Sequence, residues 1–227
     1  MVGYKRQPDL SAVFDDVLYY TLHVIIINVK LQRSWSKIKL RPIFEERDGE
    51  KQVLKIAVTG IPGIGKSTVV AKAAEKLADR LGFKVCGVRT VEIRREGRRE
   101  GFSILDLATG EAGILSHTKG RGPKIGKYHI NIEDLEKIGA EALRNALSCD
   151  LVIIDEIGPM ELISGSFVAA VEKVLESDKP VLAVLHRSSE HWLARKVREE
   201  FEVLTVDMKN REELPEKIFS YFASKPL

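Results

Sequence analysis

Cysteine is nearly absent from this chain, which places two among 227 residues, Cys86 and Cys149. Each sits against an apolar run, Phe83 to Val88 and Leu151 to Ile154, with no second Cys or His at ligand spacing. No metal cage or disulfide framework is read from them, and both are expected to be small buried hydrophobes in a reducing compartment. The five histidines show no HExxH or His-x3-His pattern, which argues against a protein-built zinc site. Charge of one sign is also lacking: 36 Lys plus Arg stand against 33 Asp plus Glu, a net charge of +3. Long hydrophobic runs are missing as well. The longest, Val17 to Val29, has 13 residues, includes His23 and Asn28, and falls short of the ~20 that span a bilayer. Asp15 and Asp16 precede it and no small-x-small site follows, so it does not read as a signal peptide, and a cytoplasmic protein without a membrane span is expected.

What is present describes a folded protein. With 44% hydrophobic and 30% charged residues the chain lies far from the composition of disordered segments, and its length fits one domain with an appendage. Residues 1–50 read as an N-terminal extension holding the strand-like apolar run, the basic stretch Arg33 to Arg41 and the polar, turn-like Arg47 to Lys51. The main domain is expected over 54–227. There, short β-branched runs (Leu54 to Thr59, Phe83 to Val88, Leu151 to Ile154, Val181 to Leu185, Glu202 to Val206) alternate with helical patterns (Lys66 to Leu81, Ile132 to Leu147, Phe167 to Glu176, Glu190 to Glu200, Arg211 to Phe222). That alternation predicts an α/β fold, a mostly parallel sheet with helices on both faces. Arg89 to Tyr128 breaks the rhythm with glycine, charge and short β-like pieces, and reads as an antiparallel hairpin insert.

Directly after the first strand comes Gly60-Ile61-Pro62-Gly63-Ile64-Gly65-Lys66-Ser67, a complete G-x-x-x-x-G-K-[ST] string that opens the first helix. Glycines let backbone N–H groups curl around phosphate oxygens, and the helix N-terminus adds partial positive charge. Lys66 suits the outer phosphates and the Ser67 hydroxyl suits Mg²⁺. A second motif, Leu151-Val152-Ile153-Ile154-Asp155-Glu156, places two carboxylates at the C-terminal end of a buried strand, where open α/β sheets bind ligands. Asp155 suits the metal, directly or through water, and Glu156 suits polarising a water for attack on the terminal phosphate.

Weaker candidates are His186, which follows the strand Val181 to Leu185, and Arg94 or Arg99 as an arginine finger within a run interleaved with Glu92, Glu96 and Glu100. A solvated, ion-paired hairpin explains that arginine run at least as well. Lys119, Arg121, Lys124 and Lys127 form a basic stretch without acids that suits triphosphate or nucleic acid; with so small a net charge, nucleic acid is the less favoured partner.

Four segments together resemble the P-loop nucleoside-triphosphatases known from thermophiles and, in animals, as the cancer-related nucleoside-triphosphatase. They are VTGIPGIGKST, Thr90-x-Glu92-x-Arg94 leading to Arg99-Glu100-Gly101-Phe102, Gly126-Lys127-Tyr128, and IIDEIGPMEL at Ile153 to Leu162. The resemblance implies a P-loop fold with an added glutamate beside the Mg²⁺-site aspartate, and slow hydrolysis of ATP, GTP, CTP and UTP with little base preference. It implies nucleotide contact by Gly60 to Ser67 with the adjoining Thr68, and by Leu151 to Gly158, Ile157 included. No function is read for Met160 or Glu161. This family usually begins within a few residues of the first strand, so the 53 residues before Leu54 are a departure. The runner-up functions are a nucleoside or nucleotide kinase, and a nucleotide-dependent switch associated with nucleic acid. A monomer is the working expectation for assembly.

Overall fold

In a computed structural model, residues 44–47 and 50–223 are described; the apolar run Val17 to Val29 and the basic stretch after it lie outside them. Strands β1 (Phe44–Arg47) and β2 (Glu50–Val53) pair antiparallel, Arg47 opposite Glu50, within the polar stretch read as a boundary. The main domain then alternates as expected: β3 (Lys55–Thr59), α1 (Lys66–Leu81), β4 (Val85–Arg95), β5 (Arg98–Asp106), β6 (Ala112–His117), β7 (Lys124–Ile125) and β8 (Tyr128–Ile130). A continuous helical rod follows, made of α2 (Ile132–Asp134), a π-helical stretch (Leu135–Ala140) and α3 (Glu141–Ala146). After it come β9 (Leu151–Ile157), α4 (Gly165–Leu175), β10 (Val181–Leu185), α5 (Trp192–Glu200), β11 (Glu202–Thr205) and α6 (Leu214–Ala223).

Nine of these strands form one sheet in the order β11-β3-β10-β9-β4-β5-β6-β8-β7. The first five run parallel and the remaining four are added antiparallel, so the insert is an outward continuation of the sheet from β4. The strand read as ending at Val88 runs on to Arg95, because Thr90 to Arg95 find antiparallel partners on β5.

The apolar runs are continuous because each central strand serves two cores. Along β9, Val152 and Ile154 pack with Phe167, Leu143 and Ile104 on one face, while Leu151 and Ile153 pack with Leu54, Leu77 and Phe222 on the other. A strand buried on both faces has no polar side to alternate with. On the second face, α1 lays Val69, Val70, Ala73 and Leu77 on the sheet and ends at Gly82, whose φ of 72° is the left-handed conformation that closes helices. Its outward face meets α6 through the exposed pairs Lys76–Glu216 (2.8 Å) and Arg80–Glu216 (2.7 Å). Pairs so exposed are worth at most about 1 kcal/mol each, so apolar burial holds the layer.

One sequence expectation is corrected. Cys86 on β4 and Cys149, just before β9, are joined in a disulfide with Cα atoms 6.0 Å apart. Both are buried as expected, but sequence spacing carried no sign that β4 and β9 are neighbours, Cys86 pairing with Val152 in register.

Candidate functional site

The phosphate loop leaves β3 at the C-terminal edge of the sheet. Val206 N–H donates to the Thr59 carbonyl (2.8 Å), and a Cβ on Gly60 would lie 2.8 Å from the Val206 carbonyl, so only glycine fits there. Ile64 turns its side chain into the core, and the backbone around it curls, with Gly65 at φ 107° as the cap of α1. The first N–H groups of a helix have no partner within the helix, and α1 begins here with Lys66 and Ser67, with no side chain capping it.

Across from this loop, β9 delivers the carboxylates. The Ser67 hydroxyl donates to Asp155 Oδ1 at 2.8 Å, joining two segments far apart in sequence. Asp155 is buried, and its Oδ2 and the Oε1 of Glu156 are buried with no hydrogen-bond partner. Burial lifts the Asp155 carboxyl to about 7, against the Ser67 hydroxyl bond and the charges of Arg89 and Lys66, which pull it down. Burial also raises Glu156, countered by Lys66 and His186. Lys66 therefore acts on both carboxylates, and His186 stands close enough to Glu156 to matter electrostatically. The peptide bond between Asp155 and Glu156 is cis.

The structure brings together Gly60 to Thr68, Asp155, Glu156, Gly158 and, more peripherally, His186. Leu151, Val152, Ile153 and Ile154, expected at the nucleotide, have their side chains in the two cores, as does Ile157; a strand buried on both faces can offer ligand contacts only where it leaves the sheet. Arg94 and Arg99 both pair with Glu92, with 2.6 Å between Arg94 Nη2 and its oxygen, on the far part of the β4–β5 hairpin. Lys119, Arg121, Lys124 and Lys127 are exposed on the insert, Lys127 Nζ donating to the Arg99 carbonyl at 3.2 Å.

One residue escaped the sequence reading, and another was named there without a function. Arg89 follows Val88, which pairs with Ile154, so it stands level with Asp155; it lines, with Ser67, Asp155, Val70, Ala74 and Phe83, a cavity of about 100 Å³ beneath α1. Only strand register could have revealed it. The other is Glu161, 5% exposed, whose carboxyl faces the N–H groups of Gly158 and of Glu161 itself. Burial, with the neighbouring Glu156 charge, holds it well above the ordinary carboxyl range. A Cβ on Gly158 would come within 3.1 Å of Glu161 Oε2 and 3.4 Å of Glu156 Oε1, so the glycine is the space in which the two carboxyl groups converge. Met160 accepts from the buried Ser116 hydroxyl at 3.6 Å, tying the same turn to β6.

The same span of the chain is similar to known proteins. The family model described as NTPase matches residues 55–219. The nucleoside-triphosphatase THEP1 of Methanosarcina acetivorans is 72% identical over 173 residues, covering 76% of this chain and 99% of the relative. That of Methanocaldococcus jannaschii is 45% identical, covering 74% and 96%. Among solved structures, THEP1 from Aquifex aeolicus superposes with a TM-score of 0.65 at 30% identity, over 74% of this chain and 99% of that one. A human cancer-related nucleoside triphosphatase gives 0.65 at 31% identity, over 77% and 100%.

Proposed function

The chain belongs to this nucleoside-triphosphatase family, a hydrolase of nucleoside triphosphates, and from that premise we propose that it cleaves the terminal phosphate of ATP, GTP, CTP and UTP alike, with Mg²⁺, in the cytoplasm. The observation that carries the chemistry is the Ser67–Asp155 hydrogen bond, which sets the phosphate loop against a strand end that bears two adjacent carboxylates. The donor set suits the metal: a hydroxyl, and a buried carboxylate whose second oxygen has no hydrogen-bond partner and whose charge is costly without a cation. Ser67 and Asp155 would hold Mg²⁺, which would neutralise charge on the phosphate oxygens.

The remaining work falls to the chain's own groups. The loop N–H groups and Lys66 hold the β and γ phosphates. Glu156 accepts a proton from a water as that water's oxygen bonds to the γ-phosphorus and the bond to the bridging oxygen breaks, leaving diphosphate and phosphate. A carboxyl raised by burial is a better proton acceptor than an exposed one, and the uncommitted Oε1 gives the water a place to bind.

Phosphate release from the four triphosphates with Mg²⁺, in the absence of any acceptor, tests the reading. Lys66→Ala should lose both affinity and turnover while remaining folded. Glu156→Gln should still bind nucleotide while turnover falls by roughly 10²- to 10⁴-fold. Nucleoside diphosphate formed only when an acceptor hydroxyl is added, with the phosphate carried on that acceptor and none released to water, would make the protein a kinase instead.

A further inference from the structure

The segment after β11 lies beside the phosphate loop. Thr205 pairs with Thr59 in register, so Val206 to Glu213 leave the sheet level with Gly60 to Gly65, and Gly60 packs directly on Val206. Two polar side chains of this segment shape it, while Glu212 pairs with Lys72 on α1 (3.2 Å) and with Arg211 (3.4 Å). Asp207 Oδ1 accepts from the N–H groups of Lys209 (2.7 Å) and Asn210 (2.9 Å). Asn210 accepts from Asp207 N–H (2.9 Å) and donates its amide to the Thr205 carbonyl (2.9 Å). What points outward is Met208, 67% exposed, with Arg211 Nη1 3.6 Å from its sulfur. In the phosphate loop, next to the Gly60 that packs on Val206, Ile61 is 51% exposed. Among the described residues four large apolar side chains are exposed, and Met208 and Ile61 are the two most exposed of them.

We infer that Met208, Arg211 and Ile61 form the platform on which the nucleobase lies when the phosphate loop holds the triphosphate. The inference rests on the proposed nucleotide reading and deepens it. A polarisable thioether, a guanidinium plane and a branched aliphatic side chain offer a surface to the face of any base, since every base has one. The groups that would read base edges, the carboxylate of Asp207 and the amide of Asn210, are already engaged in holding the loop's shape. Contact by faces and not edges accounts for indifference among bases as a property of this loop.

The test measures binding and does not depend on turnover. Non-hydrolysable triphosphate analogues carrying adenine, guanine, cytosine and uracil are titrated into the full chain by calorimetry, with inorganic tripolyphosphate as the probe that has no base. A Met208→Ala, Arg211→Ala double variant should weaken binding of all four analogues by about tenfold, within the range reported for loss of one stacking contact. Its affinity for tripolyphosphate should match wild type, and Met208→Leu, which keeps the apolar area, should bind the analogues nearly normally. Unchanged affinity for the analogues would overturn the platform, as would a loss confined to one base or an equal loss for tripolyphosphate. If wild type binds tripolyphosphate and the analogues equally well, the base has no site here; if it binds neither, the nucleotide reading itself falls.

Discussion

Glu161 shows how much one buried carboxyl adds to the account of this site. Its ordinary value near 4.5 is raised well above that range by burial and by the Glu156 charge, so the folded protein keeps its proton where the unfolded chain has released it. A group protonated only in the folded state makes stability fall as pH rises, beginning at the unfolded value and ending at the folded one, by about 1.4 kcal/mol per pH unit. Below pH 4.5 both states carry the proton and the contribution is fully present. Asp155, raised from 3.8 to about 7, adds a loss of the same sign over that interval. In urea titrations without nucleotide, wild type should therefore lose stability between about pH 5 and 7, and Glu161→Gln, which mimics the neutral acid, should flatten that decline. An identical slope in the variant would mean that Glu161 is ionised in the fold. The sequence names Asp155 and Glu156 because they sit in a strand-end pattern with known chemistry. It names Glu161 only as part of IIDEIGPMEL and cannot assign it a role, which depends on burial, nor show that the Glu156 and Glu161 carboxyl groups converge beside Gly158.

At the scale of elements, the link between β4 and β9 has both a register and a covalent bond. The Cys86–Cys149 bridge closes a separation of 63 residues, and in the chain-entropy account a loop of that size contributes about 4 kcal/mol by restricting the unfolded chain. Reduction should lower the urea midpoint accordingly and steepen the transition, because the unbridged unfolded chain exposes more surface, and a Cys86→Ser, Cys149→Ser variant should match the reduced protein. Two free thiols titrating in the native, unreduced protein would refute the bridge. Such a bond is uncommon in the reducing setting expected from composition, so this measurement also bears on where the protein works. Helices were legible down to a turn, because Val70, Ala73 and Leu77 on α1 recur at helical spacing and glycine closes the helix. Strand lengths were not. Nothing local marks Thr90 to Arg95 as a continuation of β4, since their partners lie on β5 across a turn.

For the molecule as a whole, the alternation of elements was enough to give a parallel α/β sheet, and the phosphate loop fixed which edge carries the site. No helix among the described residues is long and apolar enough to cross a membrane. Strand order was beyond the sequence, because β3 sits between β11 and β10, strands from the far end of the chain, and only the finished packing selects those neighbours. The same sheet order carries a consequence for how the chain reaches its structure. From β4 outward, β5 and β6 add to their immediate predecessors, Leu105 meeting Ala112 across a short turn, while Ile56 must wait for Glu202 and Lys55 for Val181. Closing a long stretch of chain costs more entropy than closing a turn, and rates follow the separation of the contacts that must form. In pulse-labelled hydrogen exchange during refolding, amides of β4, β5 and β6 should be protected first and those of β3, β10 and β11 last. The phosphate loop, hung between β3 and α1, would then become competent only in the final step, so nucleotide added during refolding should bind with the slow phase and leave the fast one untouched.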